Sequence, residues 1–129
     1  RRAVELNRPD PGDPVDVLSK VGGFDIAGLC GCYLAAAARR RPVVIDGFIA
    51  GTAAVAAVKM HPGARDFMFT SHASAEPGVA AISRVLELSP MLALDMRLGE
   101  GTGAALAFHV IEAAPKIVNE MGTFKDIGM

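Results

Sequence analysis

Apolar residues recur at three- and four-residue spacing at Ile26, Leu29, Cys30, Tyr33, Leu34 and Ala37. That spacing is one face of an α-helix, and it predicts a helix from about Asp25 to Arg40, stopped by Pro42. Before it, Arg1 to Asn7 reads as the tail of a helix, and Pro9, Pro11 and Pro14 forbid its continuation. Asp13-Pro14 is a helix start, with Asp at the N-cap, Pro at the first helical position and Asp16 in the first turn. It predicts a short helix from Pro14 to Val21, ended at Gly22-Gly23.

Beyond Pro42 the pattern changes. Val43-Val44-Ile45-Asp46 is continuously apolar up to its carboxylate, as in a strand buried on both faces. A helix follows from about Ala50 to Met60, closed by His61-Pro62-Gly63. Asp66 to Thr70 reads as a second strand, followed by the loop Ser71-His72-Ala73-Ser74. Glu76-Pro77-Gly78 opens a helix that runs to about Leu88 and is broken by Ser89-Pro90. Met91 to Met96 reads equally as strand or extended loop. Gly99 to Gly103 feeds a long Ala-rich helix, Ala104 to about Met121, and the tail Gly122 to Met129 reads as loosely ordered.

This βαβα alternation with short loops predicts an α/β fold. It is part of a parallel, helix-flanked, Rossmann-like sheet with right-handed crossovers and a C-terminal helix. Two strands, or three, are few for an open parallel sheet. The chain also opens on Arg1, inside a helix tail. Both features lead to the expectation of a fragment whose upstream strands complete the sheet.

Composition narrows the classes. The 129 residues suit one domain. At 51% hydrophobic and 21% charged, the chain is not intrinsically disordered. A formal net charge of −1 gives no basic face for nucleic acid. The run Arg39-Arg40-Arg41 reads as a solvated helix end. No apolar run is long enough to span a membrane, and no signal peptide is visible. The default location is the cytoplasm. The two cysteines, Cys30 and Cys32, face different ways on a helix and suit no shared metal. Both are expected to be buried, and His61 and His109 are isolated. No metal site is expected.

In open α/β sheets, ligands sit beyond the carboxyl ends of strands. Three segments fall there: Asp46-Gly47-Phe48, Ser71 to Ser74, and Arg97 to Gly103. In the last, Glu100 lies between glycines at a helix start, where backbone amides are accessible to an anion. It is neither a dinucleotide fingerprint nor a Walker loop. On pattern alone, Glu100 is equally a residue that stabilises the helix dipole. Asp46 either binds a ligand hydroxyl or caps the following helix. Ser71, His72 and Ser74 either bind substrate or are structural. Ser71 and His72 are not expected to form a catalytic triad, because chain neighbours rarely present their side chains to each other.

Taken together, four stretches resemble the carboxy-terminal part of the nicotinate-nucleotide:dimethylbenzimidazole phosphoribosyltransferase family. They are Lys20 to Ile26, Val44 to Ile49, Ser71 to Gly78 and Asp95 to Leu106, with Asn119 to Phe124 fitting the family's terminal helix region. Their order matches, and the resemblance spans nearly the whole chain, residues 1–129.

The resemblance implies transfer of the phosphoribosyl group of nicotinate mononucleotide to 5,6-dimethylbenzimidazole, in the lower-ligand branch of cobalamin synthesis. The products are α-ribazole 5′-phosphate and nicotinate. It implies no metal or organic cofactor, a homodimer, and a large parallel-sheet domain beside a small helical one. Glu100 becomes the general base, a task that a desolvated carboxylate would suit. Leu98 lines the base pocket. Gly99, Gly101 and Gly103 bring backbone amides near the phosphoribosyl group. Asp46, Gly47, Ser71, His72 and Ser74 line the nucleotide or nicotinate side.

Family members are more than twice as long. Their Gly-rich phosphate loop lies upstream of the part this chain resembles. The chain alone is therefore expected to hold half an active site and to show little turnover. Two other classes remain open: a non-catalytic nucleotide- or base-binding domain, and an oligomerisation module using the helix Ala104 to Asn119.

Overall fold

The computed structural model describes residues 1–128. α1 (Arg2–Asn7) ends at Arg8, which is left-handed at φ 43°. α2 (Pro14–Val21) starts as its sequence dictates. Asp13 accepts from the amides of Val15 and Asp16 at 2.9 and 3.2 Å, satisfying two donors that the first helical turn leaves free. α3 (Phe24–Ala38) ends two residues earlier than expected. Arg39 and Arg40 leave the helix, and Arg40 turns left-handed at φ 53°.

β1 (Val43–Ile45) and β2 (Met68–Thr70) pair in parallel, with Val43 opposite Met68 and Ile45 opposite Thr70. The crossover between them is α4 (Gly47–Met60) followed by a 3-10 helix, Pro62–Phe67. Two boundaries differ from expectation here. α4 begins at Gly47 rather than Ala50, because Gly47 at φ 79° turns the chain directly from strand into helix. Asp66 and Phe67 belong to the 3-10 helix, which Pro62 opens, so β2 starts only at Met68.

α5 (Val79–Leu86) stops at Glu87, left-handed at φ 54°, two residues short of expectation. The segment after it forms no full strand. Its pairing is a single parallel bridge between His72 and Leu92. Met91 and Leu92 donate to the carbonyls of Thr70 and Ser71 at 3.1 and 3.0 Å. α6 (Thr102–Glu120) continues through Pro115, which has no N–H to give the preceding turn. The tail is more ordered than its composition suggested. A 3-10 helix, Phe124–Ile127, is held by a capping box between Thr123 and Asp126.

The core lies where α3 and α4 meet the sheet. Cys30, Tyr33 and Ala37 of α3 pack with Ala53, Ala54 and Ala57 of α4, and with Ile45, Met68 and Leu86. Three alanines on one face let α4 run close to its neighbours, so this small sheet still closes a core. α6 is different: Gly103 and Ala107 are its only buried residues, one turn apart on one face. Phe108, Val110, Ile117 and Val118 are exposed. No helix among the described residues is long and apolar enough to cross a membrane.

Candidate active site

Asp46 directly follows β1, Ser71 and His72 directly follow β2, and the three side chains meet beyond the strands. Ser71 Oγ donates to Asp46 Oδ1 at 2.8 Å. His72 Nδ1 lies 2.9 Å from Ser71 Oγ and 3.1 Å from Asp46 Oδ1. The capping alternative for Asp46 falls here, as does the premise that Ser71 and His72 do not face each other. Asp46 stands at the N-cap position of α4 but gives that helix no side-chain hydrogen bond. Its carboxylate is turned instead toward Ser71 and His72. These chain neighbours do present their polar atoms to each other just beyond β2.

The cluster is nonetheless no nucleophilic triad. A triad places the carboxylate on one imidazole nitrogen and the serine on the other. Here both face Nδ1. Asp46 as a carboxylate only accepts, so Nδ1 carries the proton. Ser71 is 1% exposed, too buried to attack a substrate. His72 is buried as well, and the Asp46 side chain is 10% exposed. Asp46 Oδ2 has no hydrogen-bond partner among the described residues, although it is buried.

The third segment arrives from the other end of the chain. Gly99, Glu100 and Gly101 all have positive φ, at 75°, 57° and 77°. The amide and hydroxyl of Thr102 both donate to the Gly99 carbonyl, at 3.1 and 2.7 Å. Glu100 and Gly101 are thus the central residues of a tight turn with the positive-φ signature of type I′. The turn leads directly into α6. Gly103, in the first turn of that helix, is buried against the cluster. A Cβ there would overlap His72 Nδ1 and Asp46 Oδ1 and would come within 2.8 Å of His72 Cε1. Asp46 consequently sits at the N-terminal ends of two helices, α4 and α6. Their amide dipoles favour a buried negative charge.

The remaining predicted residues lie around this centre. Glu100 is exposed. Leu98 is 73% exposed. Ser74 is half-buried and accepts from the Glu76 amide at 3.4 Å. Gly47, Thr70, His72 and Ser74 line a cavity of about 20 Å³. The larger apolar cavity, about 620 Å³ between α2 and α3, touches none of the predicted site residues. Gly103, whose backbone amide the resemblance places near the phosphoribosyl group, packs on its Cα side against the buried cluster. Thr102 was missed. The available signal was a hydroxyl three residues after Gly99, able to close the turn that carries Glu100.

No group of three or more His, Cys, Asp or Glu residues that could hold a metal occurs among the described residues. Cys30 is buried, and burial pushes its thiol up from the ordinary cysteine range. Cys32 is exposed, contrary to expectation, because it lies two positions along the helix and faces outward. His61, His109 and Arg39 to Arg41 are exposed.

A family model described as phosphoribosyltransferase matches residues 1–129. A nicotinate-nucleotide–dimethylbenzimidazole phosphoribosyltransferase of Ruminiclostridium cellulolyticum is 61% identical over 126 residues, which is 98% of this chain and 36% of that protein. The protein of the same name from Acetivibrio thermocellus is 58% identical over the same shares. Among solved structures, CobT from Thermus thermophilus superposes with a TM-score of 0.90 at 43% identity, covering 99% of this chain and 38% of that one. The chain therefore spans about a third of the length of the relatives it matches.

Proposed function

The chain belongs to the phosphoribosyltransferase family, and on that premise we propose that it supplies the C-terminal portion of an enzyme acting on nicotinate mononucleotide and 5,6-dimethylbenzimidazole. One benzimidazole nitrogen attacks the anomeric carbon of the ribose. The bond from that carbon to the nicotinate ring nitrogen breaks, and nicotinate leaves with the bonding pair. The leaving nitrogen is a cationic pyridinium in the substrate and neutral in the product, so it needs no acid. The attacking base is different. Its second nitrogen carries a proton that becomes acidic as the new bond forms, and one general base suffices to take it. We assign that role to Glu100. Attack opposite the leaving group inverts the anomeric carbon from β to α, giving α-ribazole 5′-phosphate.

The observation that carries this reading is the position of Glu100. It stands at the tip of an exposed tight turn, on the strand-end side of a family-matched chain. Leu98 is proposed to pack on the acceptor base, and Gly99 and Gly101 to face the phosphoribosyl group. Asp46, through its free Oδ2, together with Gly47 and Ser74, is proposed to face the nucleotide side. The exposure of Glu100 and Leu98 fits a site whose other half comes from residues outside these 129. The enzyme is proposed to act in the cytoplasm as a homodimer.

The test mixes both substrates with a chain of full family length that contains this segment, and separates the products by chromatography. Expected are α-ribazole phosphate and nicotinate in equal amounts. Glu100→Gln should lower turnover by about 10²- to 10⁴-fold, and the isolated 129 residues should turn over little. Absence of product from the full-length chain overturns the reaction. An undiminished rate in Glu100→Gln removes the base assignment alone.

A further inference from the structure

We propose that the buried Asp46–Ser71–His72 cluster is the seat of the Glu100 turn, and that His72 and Gly103 are positioning residues for the reaction. The inference rests on the reading of Glu100 as the base and adds how that base is held.

The mechanical connection is short and made of stiff parts. Glu100 sits on a turn closed twice by Thr102 onto the Gly99 carbonyl. The next residue, Gly103, lies against the His72 ring with no room for even one added carbon. The ring in turn is held by Asp46 and Ser71, both at Nδ1. Asp46 and Ser71 directly follow the last residues of β1 and β2, which pair with each other. The position of Glu100 is thereby referred to the sheet through contacts between rigid groups.

The anchorage of α6 lies in its first two turns. Gly103 and Ala107 are its buried residues, and the helix beyond them is largely exposed among the described residues. A shift at Gly103 therefore displaces the turn that carries Glu100. Electrostatics works the same way. Asp46 Oδ1 lies beside the first turn of α6, so its charge draws the helix N-terminus onto the cluster.

The test uses the full-length enzyme and reads kcat and KM separately. Misplacing a reacting group by about 1 Å costs on the order of a hundredfold in rate. Gly103→Ala and His72→Leu are expected to lower kcat by roughly ten- to a hundredfold while KM stays within about twofold. His72→Asn, whose side-chain amide can replace the Nδ1 donor, should recover part of the loss. A loss of overall stability alone would not produce this split or this rescue. Amide exchange supplies a readout independent of turnover. Thr102 to Ala107 should exchange faster in Gly103→Ala, while Ala53 to Ala57 of α4 keep their protection. If Gly103→Ala does not fold, Thr102→Val removes only the side-chain bond to Gly99 and should show the same kcat-selective loss.

Unchanged kcat in Gly103→Ala and His72→Leu, in an enzyme that Glu100→Gln inactivates, overturns the seat and leaves the base reading intact. An active Glu100→Gln overturns the base reading first. Local exchange that does not change in a folded Gly103→Ala overturns the seat as well.

Discussion

Ser71 Oγ donates to Asp46 Oδ1 at 2.8 Å across 25 positions of sequence, and this bond ties the ends of the two strands together. It is a hydrogen bond to a buried carboxylate, which is stronger than one between neutral groups. Ser71→Ala should therefore destabilise the fold by about 1–3 kcal/mol, read by denaturant unfolding. A change below about 0.5 kcal/mol, the ordinary range for a surface substitution, would show that the bond contributes nothing.

Glu100 holds a left-handed backbone that suits glycine and costs other residues about 1–2 kcal/mol. Part of that is returned by the greater freedom of glycine in the unfolded chain. Glu100→Gly is thus expected to stabilise the protein by about 0.5–1 kcal/mol while turnover is lost. A destabilised Glu100→Gly would mean that the Glu100 side chain makes a stabilising contact.

The chain holds one tyrosine, so a tyrosinate titration reads Tyr33 alone. Burial, with the charges of Cys32 and Asp46 adding to it, pushes the Tyr33 phenol up to about 12 from the usual 10. A raised folded-state value favours the fold below the unfolded pKa. That contribution is lost as the pH rises from about 10 toward 12. Ultraviolet absorbance should therefore show no tyrosinate near pH 10 in the folded protein. Stability should fall across that interval, and fall less in Tyr33→Phe. Titration at the ordinary tyrosine value in the folded state would refute the burial.

The two cysteines should separate kinetically. Cys32 is exposed, whereas Cys30 is buried with its thiol pushed up, and the thiolate is the reactive form. A thiol reagent should modify one equivalent fast under native conditions and the second only on unfolding. Cys32→Ser should abolish the fast phase. Two equally fast equivalents would mean that α3 does not pack as described.

Much of the frame is local and was legible in the sequence. Pro42 and Gly22-Gly23 mark helix ends, Asp13-Pro14 marks a start, and the apolar run Val43 to Ile45 marks a strand, of which Ile45 is buried and the two valines half-buried. The boundaries that moved did so for reasons of tertiary geometry. α4 begins at Gly47 because the strand turns directly into it, and the two residues before β2 are taken by the 3-10 helix that Pro62 opens. Cys32 was misassigned because both cysteines are apolar by composition, whereas the helix turns only one of them inward.

The sequence by itself determined the βαβα order, the three segments that gather beyond the strands, and the resemblance that singles out Glu100. Side-chain periodicity and turn chemistry act over a few residues, so one strand or one turn at a time carries that information. Only the tertiary structure decided that Asp46 turns away from its own helix, that Ser71 and His72 share its carboxylate, and that Gly103 closes over them. Those contacts join segments far apart in the chain, and their strength depends on burial and on helix dipoles that exist only once α4, α6 and the two strand ends have been brought together.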